Sequence, residues 1–542
     1  MNTRHRQARS AATRVPLVIA LVAAVATGTV LVVQNLADAR GCGDRDGIRL
    51  PVAADPAIAP AIREAADGWI QTTAPAVDGR CIAVDVSAVP TAEVASQIAV
   101  AAGGFLDVAT PAPLRGETPA VWVPESSYWI GRLRTVSRNL FLTEPVSLAT
   151  SPIVLAASPA AVSLLGPGPV TPTDLRAPVL AAIAQQEPPP VRLAEPRRDA
   201  AGLVGAGWLR QATVTAEEEL PNLVATFRGM GQAAPSAASL LPDFDALNRA
   251  GAQRVLLAPV SQQAVTAHSQ AVGATSVATV PVAEAPALDY PYAVLSSAPQ
   301  TIQTAAAMLR AALGSDPASF ARHGFDPAVT TPAPIGTSEQ LATVLRIWTS
   351  ATRDARVLSV VNVNASMAEP MGTVRRVDVF RATAEQGMTM FTPNSELGHW
   401  EYADGWREGV PIATLTEPQK QRIATALASI ELKPTTESAL FETLLAAYRE
   451  MKAGYAQGRS NTLIMWTDAG DQQPGGLTLE ETLQELERLA DLTRPIRVIL
   501  LGLGPDADMA QLSAIARVTG GGAFHLENPE EIALIFLRAL LT

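Results

Sequence analysis

Between Val357 and Met367 the chain reads Val-Leu-Ser-Val-Val-Asn-Val-Asn-Ala-Ser-Met. An apolar run of strand type ends there in small polar residues spaced two apart, Asn362, Asn364 and Ser366. At the carboxyl end of a strand in an open parallel sheet, such side chains stand where ligands bind. Groups that make and break covalent bonds are far less evident. Gly-x-Ser-x-Gly, Gly-x4-Gly-Lys-Ser/Thr and His-Glu-x-x-His are all missing from the sequence, so it carries no motif for a nucleophile elbow, a phosphate loop or a zinc protease. The acidic pairs Glu480-Glu481 and Glu530-Glu531 fall in helical, solvated contexts, and the histidines His5, His268, His323, His399 and His525 are scattered. Two cysteines alone cannot build a structural zinc site. The expectation is a protein that binds rather than one that catalyses.

The elements that must position these residues form a long exported chain. At 542 residues it has room for two or three domains. With 48% hydrophobic and 17% charged residues it can bury sizeable cores. Its net charge of −11, with no basic block beyond the N-terminus, argues against nucleic acid as a partner. Arg4, Arg6, Arg9 and Arg14 precede an apolar run from Val15 to Val33. At about 19 residues this run is near the ~20 needed to cross a bilayer. The flanking charge places the N-terminus inside and everything after Val33 outside. The reading is therefore a single-pass membrane helix with the bulk of the chain extracytoplasmic. The alternative is a cleaved signal, for which Ala37-Asp38-Ala39 would serve as the small-x-small site. Outside the cytosol the only two cysteines, Cys42 and Cys81, are most simply a disulfide. Closing a loop of about 40 residues would contribute about 4 kcal/mol in the chain-entropy picture.

From about Gly47 to Pro334 short apolar strands alternate with amphipathic helices. Ile48–Ala53, Cys81–Val86, Val121–Pro124, Ser151–Ala157, Gln253–Pro259 and Ala274–Val282 read as strands. Ala57–Ile70, Thr91–Ala102, Tyr128–Leu133 behind the cap Glu125-Ser126-Ser127, and a segment from Ser261 read as helices. The alternation predicts α/β architecture with largely parallel sheets, and its length predicts two lobes.

Several short segments of this half resemble bacterial extracellular solute-binding proteins of the two-lobed type. They are Leu50-Pro-Val-Ala-Ala-Asp-Pro, Val121-Trp-Val-Pro-Glu-Ser-Ser-Tyr-Trp129, Ser151-Pro-Ile-Val-Leu-Ala156, Asp289-Tyr-Pro-Tyr-Ala293 and Phe320-Ala-Arg-His-Gly-Phe-Asp-Pro327. The resemblance implies a small-molecule ligand in a cleft between the lobes, held by loop backbone groups and helix N-termini. Ser126 and Ser127 are then ligand candidates, with Ser151 a further one at a strand start, although Ser126 equally serves as a helix cap. Trp122 and Trp129 would either stack on a ligand or belong to the core.

The C-terminal segment resembles von Willebrand factor type A domains. The loop after Val361 matches that family's Asp-x-Ser-x-Ser with Asn362 and Asn364 replacing the Asp and the first Ser. Thr435-Thr-Glu-Ser-Ala-Leu-Phe-Glu442, Asn461-Thr-Leu-Ile-Met-Trp-Thr-Asp-Ala-Gly470 and Ile496–Leu501 with the following Gly502-Leu-Gly-Pro-Asp-Ala-Asp508 continue the pattern in order. What the resemblance implies is a doubly wound α/β domain and a Mg²⁺ site on Asn362, Asn364, Ser366, Ser438 and Asp468. Only Asp468 is anionic, and losing one attractive charge beside a dication costs several kcal/mol at an effective dielectric of about 20. The implied site is thus degenerate: no cofactor is certain, Mg²⁺ would be held weakly, and removing Asp468 should perturb the domain only modestly.

The expected organisation is a basic tail and anchor over 1–40, a periplasmic-binding-protein-like two-lobed domain over 41–333, a linker helix over 334–352 and a type A domain over 353–542. The leading functional expectation is a membrane-anchored extracytoplasmic adhesion or assembly protein that binds a protein partner. The alternative is a transport-linked or sensory solute receptor. A packed seam between the lobes would favour the first, and an open cleft lined by convergent polar groups the second.

Overall fold

The computed structural model describes residues 47–542 apart from 109–117, 167, 217–218, 252, 274–276, 330–334, 389 and 492, and of 528–542 it describes only 535 and 539. The anchor segment Val15–Val33, Cys42 and Glu530-Glu531 lie outside the described residues. Among the described residues no helix is long and apolar enough to cross a membrane. The fold is mixed α/β.

The first lobe is built on β1 (Ile48–Ala54), α1 (Ala59–Thr73), β2 (Arg80–Ala88), α2 (Thr91–Ala101), β3 (Val121–Val123) and α3 (Ser127–Val136). Strand β1 lies between β2 and β3 and is parallel to both. Its inward residues Ile48, Leu50 and Val52 are almost wholly buried, and α1 covers them with Ile62, Ala65 and Ala66. Sequence expectation and structure agree here to within a few residues, because the apolar periods are clean.

The second lobe centres on β4 (Ala149–Ala157), with α4 (Ala200–Thr213), β5 (Leu257–Ser261), α5 (Gln262–Val272), β6 (Ala278–Val280) and β7 (Ala287–Leu288) around it. The chain then returns to the first lobe through β8 (Pro291–Val294), which pairs antiparallel with β3. The expectation of largely parallel sheets fails in the second lobe: β5, β6, β7 and Asp326–Pro327 all pair antiparallel with β4. A continuous apolar run such as Ser151–Ala157 marks a buried central strand but carries no information on the direction of its neighbours, which the connections decide. The strand expected at Gln253–Pro259 begins only at Leu257. Upstream, Ser158 Oγ donates to the Arg254 carbonyl and accepts from Leu256 N, so these backbone groups are satisfied outside a ladder.

Cys81 sits at the second position of β2 and is disulfide-bonded, and no described cysteine is free. The bridge expected from the sequence, Cys42–Cys81, has its other half outside the described residues. Thiol labelling of the unreduced, denatured chain should then find no free thiol, whereas two labelled cysteines per chain would refute the bridge.

The linker region forms α6 (Ser338–Thr352), capped reciprocally by Thr337 and Gln340. Trp348 of this helix is buried edge-on against Phe227 and donates its indole N–H to Glu195. The C-terminal half follows: β9 (Ala355–Asn362), α7 (Arg376–Met388), β10 (Glu396–Tyr402), β11 (Trp406–Thr414), α8 (Leu440–Ala453), β12 (Ser460–Thr467), β13 (Arg497–Leu503), α9 (Met509–Thr519) and β14 (Gly522–Leu526). The sheet order is β11-β10-β9-β12-β13-β14, all parallel except the edge strand β11. Reversal of strand order beside the central β9 makes this a doubly wound sheet whose switch point lies at the carboxyl ends of β9 and β12. Both faces carry buried apolar clusters, one around Phe380 and Trp466 and the other around Leu444 and Tyr448.

Candidate functional site

Asn362, at the end of β9, and Asp468, just past the end of β12, are fully buried and meet across the switch point. Asn362 Nδ2 donates to Asp468 Oδ1 at 2.9 Å, while Asn362 Oδ1 accepts from Asn364 N at 3.0 Å. This fixes the amide orientation, since the reverse would set two oxygens against each other. Asn364 Oδ1 accepts the Ser366 hydroxyl at 2.6 Å, and Asn364 Nδ2 is 3.4 Å from the Glu437 carbonyl. That contact reaches the segment holding buried Ser438, whose carbonyl accepts from Gln472 N. The five residues named from the sequence therefore occupy one loop cluster.

A sixth residue, unforeseen from the sequence, changes the chemistry. Arg376 is the first residue of α7, and its side chain is only 3% exposed. Its Nη1 lies 3.1 Å from Asp468 Oδ2, and its Nη2 lies 2.6 Å from Asp506 and 3.1 Å from Glu369. Burial works against this charge, but the Asp506 and Asp468 carboxylates outweigh it and hold the guanidinium above its ordinary value. Two sequence signals could have found it. An arginine opening a helix opposes the helix dipole and needs a specific partner. Gly504, at φ +81°, leaves the space Arg376 uses, because a Cβ there would come within 2.8 Å of Arg376 Nε.

These residues do not fit the divalent cation that the resemblance implies. Both Asp468 oxygens are engaged, one by an amide and one by a guanidinium, and the Asn362 and Asn364 carbonyl oxygens accept hydrogen bonds from the loop itself. Among the described residues no group of three or more His, Cys, Asp or Glu is placed to hold a metal. In this arrangement the positive charge beside Asp468 is the protein's own.

A second constellation lies where the lobes meet. Asp55 follows β1, Glu125 follows β3, and Asp199 caps α4. Glu125 and Asp199 are buried. Glu125 Oε1 accepts from Trp129 Nε1 at 3.2 Å and, across the seam, from Ala200 N at the start of α4 at 2.8 Å. Asp199 accepts from Gly202 N and Ala237 N, both at 2.8 Å. Asp55 accepts from Ala57 N at 3.0 Å and from the Thr91 hydroxyl at 2.8 Å. Asp289 accepts from Ser127 N at 2.7 Å. Burial, followed by repulsion from Asp199 and Asp55, raises the Glu125 carboxyl well above its usual range. Burial likewise pushes Asp55 up to about 6 and raises Asp199.

The serines named from the sequence each hydrogen-bond within the chain. Ser126 is the N-cap of α3, accepting from Tyr128 N. Ser151 Oγ accepts from Gln263 N at the start of α5. Ser127 presents its backbone N–H to Asp289. Trp122 and Trp129 are fully buried and belong to the core. The N-termini of α3 and α4 thus donate to carboxylates of the chain itself, while that of α5 donates to Ser151.

Residues 50–326 match the family described as bacterial extracellular solute-binding protein. An uncharacterized protein of Mycobacterium tuberculosis, found in strains CDC 1551 / Oshkosh and ATCC 25618 / H37Rv, is 28% identical over 547 residues, covering 91% of this chain and 76% of its own length. Among solved structures, the substrate binding domain of a putative molybdenum ABC transporter from Clostridium difficile is 12% identical, with a TM-score of 0.31 over 52% of this chain and 100% of its own. A von Willebrand factor type A protein from Catenulispora acidiphila is 15% identical, with a TM-score of 0.30 over 35% of this chain and 43% of its own. The type A reading of the C-terminal half rests on its strand order and loop residues rather than on these scores. Through residues 50–326, slightly over half its length, the chain belongs to the bacterial extracellular solute-binding protein family.

Proposed function

We propose that this is a membrane-anchored extracytoplasmic binding protein, acting in adhesion or assembly, whose C-terminal loop face takes a protein partner without metal. It is not an enzyme on this reading. The observation that carries it is the lobe seam: Glu125 occupies the α4 N-terminus from across the interface, and Asp289 occupies that of α3. A solute would have to displace buried carboxylates that are already hydrogen-bonded, which disfavours the solute-receptor alternative. The type A half supplies the working face instead. Exposed Ala368, Glu369, Thr436, Gln472 and Asp506 surround the closed Asn362–Asp468–Arg376 cluster, where loops on a rigid sheet are suited to recognition.

The test is membrane-impermeant crosslinking on intact spheroplasts, with a photoreactive residue at Thr436 and a control at exposed Arg517 on the helix α9. The expected result is a discrete crosslinked protein from Thr436 and none from Arg517. Equal labelling from both positions would refute the loop face, and no labelling of the chain at all would refute its extracytoplasmic location.

A further inference from the structure

A cavity of about 420 Å³ opens on the loop face of the type A half, where β10 turns into β11 beside the first turn of α8 and the loop that follows β12. This volume is within the range of small-molecule sites. Asp404, Trp406, Glu442 and Gln473 line it, and no lysine or arginine does. Asp404 is paired with Lys433 at 3.1 Å. Glu442 is therefore the carboxylate left for a ligand.

Trp406 is 46% exposed. Its ring stacks on buried Trp400, with centroids 4.3 Å apart and planes 6° from parallel. That contact fixes the indole on the edge strand, and an exposed tryptophan so held is a platform for a cation. Glu442 Oε1 accepts from Leu477 N at 2.9 Å. Glu442 Oε2 and Gln473 Oε1, by contrast, are buried with no hydrogen-bond partner among the described residues. The two side chains lie against one point of the loop. A Cβ on Gly476 would come within 2.7 Å of Glu442 Oε1 and 2.9 Å of Gln473 Cγ. Buried acceptors without donors are costly, and a ligand that supplies donors removes the cost. No hydrogen bond holds the Gln473 side chain among the described residues, so turning it aside to admit a ligand breaks none.

An aromatic platform beside an unpaired carboxylate calls for a flat cation that only donates. A guanidinium has that form: it stacks on indole rings and carries five N–H donors and no acceptor. An ammonium donates but does not stack.

We propose that this cavity takes an arginine side chain of the protein partner, its guanidinium stacked on Trp406 and donating to Glu442 Oε2 once Gln473 turns aside. The inference rests on the loop face being the partner-binding face, and it names the group recognised there. A basic contact also complements a chain whose net charge is −11.

The test is saturation-transfer NMR on the full chain in neutral detergent, with N-acetylarginine amide and its neutral isostere N-acetylcitrulline amide as probes. The arginine probe should bind at least about fivefold more tightly than the citrulline probe, as expected for a charge-assisted hydrogen bond. Glu442→Gln, which keeps the Oε1 acceptor for Leu477 N, should weaken the arginine probe about tenfold. Trp406→Ala should weaken it about threefold, the size of a cation–π contact at an exposed site. No binding of the arginine probe, equal binding of the citrulline probe, or equal binding by the parent and both variants would overturn the pocket. Partner capture from Thr436 without probe binding overturns the pocket and leaves the loop-face reading standing. Probe binding without capture upholds the pocket and counts against that reading.

Discussion

Replacing Arg376 with alanine should destabilise the C-terminal domain by about 3–5 kcal/mol, the usual cost of leaving a buried charge without its partner. Asp468 is fully buried, and its Oδ2 faces the Arg376 guanidinium at 3.1 Å. Without that group the carboxylate retains, among the described residues, only the Asn362 amide. The same substitution empties the space beside Asp468, so millimolar Mg²⁺ should restore part of the lost stability in Arg376→Ala and do nothing for the parent. Thermal or denaturant unfolding in Mg²⁺ against EDTA reads both effects. Equal stabilisation of parent and variant by Mg²⁺ would contradict the assignment of Arg376 as the built-in cation. By the same reasoning Asp468→Ala is not a modest change, because it strands a buried guanidinium. Returning Asn362 to Asp and Asn364 to Ser should create a useful Mg²⁺ site only in the Arg376→Ala background.

Glu125→Gln should raise the melting temperature of the solute-binding half by a few degrees at about pH 8 and change it little near pH 5. Gln retains an Oε1 acceptor for Trp129 Nε1 and Ala200 N while removing a carboxyl whose ionised form burial, then Asp199 and Asp55, disfavours. The direction follows from linkage. The folded-state values of Asp55, Glu125 and Asp199 lie above their ordinary ones. The seam is therefore most stable with these carboxyls protonated, and it loses stability as pH rises through about 6, the Asp55 value, and beyond. Glu219 and Glu485, held at about 2 by neighbouring hydroxyl, amide and guanidinium groups, remain ionised throughout that window and do not offset the effect. Scanning calorimetry of parent and variant across this range is the check. A parent whose seam is equally stable at both ends, or a variant destabilised at pH 8, would contradict the buried-carboxylate account.

Much of the architecture was legible because apolar period and helix caps are local properties. Ile48, Leu50 and Val52 mark β1, Ser126 and Ser261 cap the helices they precede, and Asn362 stands at the strand end where the pattern places it. Strand direction in the second lobe was not legible, since Ser151–Ala157 would read the same in either kind of sheet. Nor were the two features that decide the chemistry. Arg376 and Asp468 are 92 residues apart, and Glu125 and Ala200 are 75 apart. Each pairing is a long-range contact between residues that look ordinary alone. The family pattern names residues that share one loop cluster but gives no sign of Arg376, an arginine from outside the pattern that pairs with Asp468.

The most direct measurement is capture of the partner crosslinked from Thr436, compared in EDTA and in millimolar Mg²⁺. The Arg376–Asp468 pair predicts the same yield in both, since the loop face is organised by a cation the chain carries itself. Loss of the crosslink in EDTA, with recovery on adding Mg²⁺, would contradict it.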